Sequence, residues 1–156
     1  MAHEYMATVS WKRGASEPFT DIKFSRAHTW TFDGGVTVPA SSSPLSVRLP
    51  FSRADAVDPE EALVAALSSC HMLTFLYLAA RQGYVVDSYD DAAVGVMTKN
   101  ERSKLFVSKV ALRPRIVFSG AKQPSEAELA QLHHHAHEEC YVANSVLTEV
   151  VVESPR

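Results

Sequence analysis

The feature that most constrains this chain is the stretch from Ala62 to Ala80, which holds no Asp, Glu, Lys or Arg. As a helix it is long enough to cross a bilayer. Its interior argues against lipid, because Ser68, Ser69, Cys70 and His71 sit at its centre and acidic and turn residues flank it closely. A buried core helix is therefore expected, with no membrane partner. The punctuation agrees: Asp58 is placed as N-cap, Pro59 at the first helical position, Glu60 and Glu61 at the positive end of the dipole, and Gly83 after the last turn.

So apolar a helix has more surface than one small sheet readily covers, which predicts a homodimer. Strands are expected over Tyr5 to Trp11 and Asp21 to Phe32, with a turn at Asp33-Gly34-Gly35 and a return through Val36 to Val38. Pro39 to Pro44 reads as a loop, followed by a short run through Val47, Leu49 and Phe51. From Ala92 to Phe118 two β-rich runs flank a polar turn at Lys99-Asn100-Glu101-Arg102, a second hairpin. Ser125 and Glu128 have capping-box spacing at the start of a second helix, along which Leu129, Leu132, Ala136 and Cys140 fall on one face. A last strand spans Val146 to Val152. This order predicts an α+β fold with mainly antiparallel pairing, in one domain spanning residues 1–156.

The net charge of −3 and the scatter of Lys and Arg leave no basic stripe, so nucleic acid is not an expected partner. Met1-Ala2-His3-Glu4-Tyr5 carries neither a basic nor an apolar leader region, so a cytoplasmic location is expected. In a reducing compartment the two cysteines, Cys70 and Cys140, are either inert buried thiols or a redox couple that cycles.

Two segments shift that balance. Asp58-Pro59-Glu60-Glu61 leads through Ala62 to Leu67 into Ser68-Ser69-Cys70-His71-Met72, and Ala136-His137-Glu138-Glu139-Cys140-Tyr141-Val142-Ala143-Asn144 follows downstream. Together they resemble the OsmC/Ohr family of peroxide-resistance proteins, over nearly the whole chain. In that family the central helix opens on a Pro-Glu pair and carries the peroxidatic cysteine ten residues after the Glu. The resemblance implies the OsmC-like fold, with the sheet wrapped on the long apolar helix. It makes Cys70 the peroxidatic cysteine, Cys140 the resolving cysteine, Glu60 the carboxylate that holds a catalytic arginine, and Arg26 that arginine. It further implies an intertwined homodimer with shared active sites, organic hydroperoxides as substrates, and an external dithiol reductant such as dihydrolipoyl groups or a lipoylated protein. Tyr141 stands where the hydroperoxide-resistance branch has proline, which places the chain with the OsmC-like branch.

The chemistry asks for these residue types. A thiol attacks peroxide as its thiolate, so a cation is needed beside it. A guanidinium suits, because it stays charged when partly buried and can donate to both thiolate and peroxide oxygen. Glu60 would orient it through a bidentate pair. Ten residues of straight helix put Glu60 and Cys70 about 15 Å apart, which one chain struggles to bridge. The expected cycle passes through a Cys70 sulfenic acid and a Cys70–Cys140 disulfide, and needs no metal or organic cofactor.

Other readings compete. His133 and His137 have the spacing of a chelating pair, but two ligands on one helix do not make a site, so His133, His134, His135 and His137 read as a solvated face beside one core-contacting histidine. His71 follows Cys70, and adjacent helix positions diverge by about 100°, so it should face away from the thiol. Trp30, Phe32, Met72 and Phe75 are candidates for an apolar pocket or for plain core. The alternative from another class is a non-catalytic binding or structural dimer on the same fold.

Overall fold

The long helix forms as its punctuation requires. In a computed structural model, which describes residues 2–153, α1 spans Pro59–Arg81 without a break. Asp58 caps it, its Oδ1 accepting from the Glu61 N–H at 2.8 Å while Glu61 Oε2 accepts from the Asp58 N–H at 3.2 Å. Gly83, at φ 80°, turns the chain out, and the Tyr84 and Gly83 N–H groups each donate at 3.0 Å to the carbonyls of Ala79 and Ala80.

The chain divides into two compact units, Met1–Ala62 and Leu63–Arg156. The first carries a three-stranded antiparallel sheet of β1 (Ala7–Ser10), β2 (His28–Phe32) and β3 (Thr37–Ala40), in that order. The β2–β3 turn is closed by Gly35, at φ 85°, whose N–H donates to the Phe32 carbonyl at 2.9 Å. The strand expected from Asp21 begins only at His28. Asp21 Oδ1 accepts from the Lys23 N–H at 3.0 Å and Ile22 takes φ 66°, a turn that overrides the strand-like composition of Ile22 and Phe24. Arg26 therefore stands on an irregular segment, not on a strand. Pro39, read as loop, belongs to β3, an outer strand of this sheet, where its missing N–H is tolerated. Val47 to Phe51 forms turns.

The second unit holds most of α1 with β4 (Val85–Asp91), β5 (Val94–Lys99), β6 (Leu105–Leu112), β7 (Pro114–Ser119), α2 (Glu126–Glu138), a single 3₁₀ turn at Ala143–Ser145, and β8 (Glu149–Val152). β4 pairs antiparallel with β7, β5 antiparallel with β6, and β6 parallel with β8. The expected hairpin is β5–β6, whose turn is tied by Asn100 Oδ1, accepting from the N–H groups of Arg102 and Lys104 at 3.0 Å each. The run beyond it breaks at Arg113, between β6 and β7. Two helices with antiparallel and mixed sheets make the fold α+β, as expected.

Two apolar clusters fill this unit. Phe75 and Ala79 of α1 pack with Leu132 and Ala136 of α2, Tyr84, and the inner residues Val86 and Tyr89 of β4 and Ile116 and Phe118 of β7. Leu67, Leu63 and Val64 of α1 pack with Val107, Val110 and Leu112 of β6 and Val150 and Val152 of β8. The buried stripe of α1 is thus Leu67, His71, Phe75 and Ala79, one residue per turn. Burying side chains the size of Leu67 and Phe75 contributes roughly 2–3 kcal/mol each. The opposite face is open: Leu73 and Tyr77 remain 61% and 60% exposed. α1 is long and apolar enough to cross a membrane, and 22% of its most apolar window is buried.

Candidate active site

The second unit brings the two cysteines together. Cys70 lies half-buried in mid-α1, and Cys140 is buried; both are free thiols. Burial first, and then hydrogen-bonding contact with Cys70, push the Cys140 thiol up to about 11. Cys140 is not on α2 as expected. The helix ends at Glu138, and Cys140 opens the bend toward the 3₁₀ turn, though its side chain still points inward with Leu132 and Ala136. Asn144 fixes that bend: its Nδ2 donates to the Glu138 and Cys140 carbonyls at 2.8 and 3.1 Å, and its N–H to the Cys140 carbonyl at 3.0 Å. The Ala143 N–H donates to Cys140 Sγ at 3.4 Å.

Arg26 and Glu60 both lie in the first unit and line one cavity of about 340 Å³. Its apolar wall is Val9, Trp11 and Phe24, and its polar wall includes His28 and the run Ser41 to Ser43. No ion pair joins Arg26 to Glu60 among the described residues. Instead the Arg26 guanidinium lies 3.8 Å above the centroid of the Phe24 ring. Sequence reasoning missed Trp11, Phe24 and His28; an aromatic within two residues of a candidate arginine was the available signal for Phe24. The aromatics considered instead lie elsewhere. Phe75 is core, and the Trp30 indole donates to His28 Nε2 at 3.0 Å.

His71 turns inward to α2. Its Nε2 meets His133 Nδ1 at 3.0 Å with the rings stacked, and His133 stacks in turn on Phe75 with centroids 4.6 Å apart. His133 is thus the core-contacting member of the histidine run, while His134, His135 and His137 are exposed. Burial holds both inner rings down to about 4; the charges of His133 and His137 add to the effect on His71, whereas Asp91 opposes it at His133.

The family model for OsmC-like protein matches residues 52–154. An OsmC-like protein of unknown function from Vibrio cholerae is 57% identical to this chain, with a TM-score of 0.96 over 98% of this chain and 99% of the other. At 15% identity the fold recurs in an organic hydroperoxide resistance protein OsmC from Legionella pneumophila, with a TM-score of 0.69 over 100% and 99% of the two chains. An organic hydroperoxide resistance protein from Elizabethkingia anophelis is 16% identical, with a TM-score of 0.72 over 100% and 98%. No curated protein matches the chain.

Proposed function

The chain belongs to the OsmC-like family, and on that premise we propose that it is a thiol-dependent peroxidase that reduces organic hydroperoxides to alcohols. The observation that carries the reading is that a half-buried Cys70 and a buried Cys140, both free, lie in one compact unit with Cys70 near enough to help raise the Cys140 thiol. Two inert core thiols need not meet; a peroxidatic and a resolving thiol must. Cys70 as thiolate attacks the distal peroxide oxygen, the O–O bond breaks, and the departing alkoxide takes a proton to leave as alcohol, with Cys70 oxidised to a sulfenic acid. The Cys140 sulfur then attacks the Cys70 sulfur, water leaves, and a disulfide forms. An external dithiol, of which a dihydrolipoyl group is one chemical form, reopens it by exchange and is itself oxidised.

Arg26 and Glu60 are assigned the electrostatic half of the site. Both line one cavity, where a fixed cation can hold thiolate and peroxide and a carboxylate can share its charge. Supply of the two halves by different subunits of a homodimer is part of the proposal, as is a reducing cytoplasmic setting. The test is consumption of cumene hydroperoxide by the purified protein with dithiothreitol present. Cys70→Ser should abolish it, and Cys140→Ser should give one oxidation per site followed by slow turnover driven by added thiol. A Cys70→Ser protein that turns over like the wild type sinks the assignment, and an inert wild type leaves a binding or structural dimer.

A further inference from the structure

Arg26 is held by more than its place in the chain. Its N–H donates to the Phe51 carbonyl at 2.8 Å, and its own carbonyl meets His28 Nδ1 at 2.7 Å. Since the Trp30 indole can only donate, His28 Nε2 is an acceptor and a neutral His28 ring carries its proton on Nδ1, directed at that carbonyl. With the backbone fixed at both ends, the remaining freedom lies in the side chain. There Nη1 donates to the Ile22 carbonyl at 2.9 Å and also to the Phe24 carbonyl. The guanidinium covers the Phe24 ring, which is stacked on Phe19 at 4.6 Å and met edge-on by Trp11 at 5.5 Å. One nitrogen and one face of the guanidinium are therefore occupied. Among the described residues no hydrogen bond engages its Nε or Nη2.

We propose that Phe24 is the positioning residue for Arg26. Its ring and carbonyl hold one face and one edge of the guanidinium, so that the Nε–Nη2 edge is kept for the cavity that Arg26 shares with Glu60. This rests on the peroxidase reading given above and assigns within it a task that the carboxylate alone would otherwise carry. A guanidinium is suited to such a hold, being planar, weakly hydrated and attracted to an aromatic face. The Phe24 stack with Phe19 and Trp11 makes the seat stiff, and so fixes the plane of the fork rather than only its location.

The experiment compares Phe24→Leu, which keeps an apolar wall without a π face, with Phe24→Tyr, which keeps both. Phe24→Leu should lower kcat about tenfold, by the same factor for tert-butyl and cumene hydroperoxide and with little change in KM, and Phe24→Tyr should stay within about threefold of the wild type. A loss confined to KM that follows substrate size would make the ring a mere cavity wall and overturn the proposal. A Leu variant as fast as the wild type, or faster, would overturn it too. Independently of turnover, the Arg26 Nε–H resonance, identified by its absence in Arg26→Lys, should be ring-current shifted in the wild type and Phe24→Tyr and relax toward the free position in Phe24→Leu. Equal positions in all three would show that the ring does not hold the guanidinium. Should the wild-type protein reduce no hydroperoxide, the peroxidase reading falls and the spectrum alone decides the anchoring. Phe24→Met repeats both measurements if circular dichroism finds the Leu variant unfolded.

Discussion

At the scale of residues, Cys140 carries the disulfide-closing step of the proposed cycle. A thiol pushed up to about 11, chiefly by burial, is almost wholly protonated at neutral pH, and only its thiolate attacks a sulfenic acid. The thiolate fraction then grows about tenfold per pH unit, so closure of the Cys70–Cys140 disulfide should accelerate about a hundredfold between pH 7 and 9. Rapid mixing with one equivalent of peroxide and timed acid quench of the free thiols measures it, and a closure rate flat over that range contradicts a buried resolving thiol. Cys70 and Glu60 come to the candidate site through the family resemblance, which rests on the Pro59-Glu60 opening of the helix and the cysteine ten residues after Glu60. Arg26 is named by the resemblance alone, and the sequence does not show its setting: Ile22 and Phe24 have strand-like side chains, and only the Asp21 turn, a hydrogen bond between neighbours, breaks the strand. Trp11 escaped notice because a cavity wall is a long-range arrangement with no period along the chain, whereas Phe24 and His28 stand two residues either side of Arg26 and carried a local signal.

At the scale of elements, α1 meets β5 at Gly95. A Cβ built there would stand 2.6 Å from Val64 Cγ2, so the helix approaches the strand as closely as a bare backbone allows. Gly95→Ala should destabilise by roughly 1–3 kcal/mol through overpacking, and adding Val64→Ala should restore part of that loss. Urea unfolding of the two single variants and the double variant checks it; strict additivity would mean that the contact is not tight. The α1–α2 contact supplies a second expectation through His71 and His133. Both rings are held down to about 4, chiefly by burial, against about 6.5 in an unfolded chain. Between these values the unfolded state binds protons that the folded state refuses, so stability falls as pH drops from 6.5 toward 4 and is at its full value above 6.5. Allowing for the partial solvent access of His133, the slope should be about 1 kcal/mol per pH unit, and His133→Asn should flatten it. Unfolding midpoints at pH 7, 6 and 5 that coincide would contradict this. Punctuation explains which elements the sequence disclosed. Caps mark both helices and turns mark both hairpins, whereas β4, rich in Asp and irregular between Val86 and Ser88, has neither a clean alternation nor a cap, and went unread.

At the scale of the whole molecule, the apolar surface left open argues for a second copy of this chain. On α1, Leu73 and Tyr77 are 61% and 60% exposed, and on β5, an outer strand of its sheet, Val96 and Met97 are also open. Leu73 and Tyr77 are four positions apart and so share a face of the helix, and they flank the turn that carries Phe75 into the core. A helix that packs one stripe against its own sheets and leaves the other apolar would be unstable in water as a lone chain, and the polar His71 on its buried stripe suits protein better than lipid. A symmetric dimer that sets this face against its equivalent covers both at once. The protein is therefore expected to sediment as a dimer when dilute and reduced. Leu73→Asp, which places a charge in that face without touching the Leu67–Ala79 stripe, should weaken the dimer by a hundredfold or more, roughly 3 kcal/mol, and lower peroxide reduction in step with the loss of dimer if the site is shared between subunits. Sedimentation velocity across a concentration series, paired with activity at each concentration, is the measurement. A wild-type monomer with full activity, or a Leu73→Asp protein that stays dimeric and active, would place the interface elsewhere and return both halves of the site to one chain.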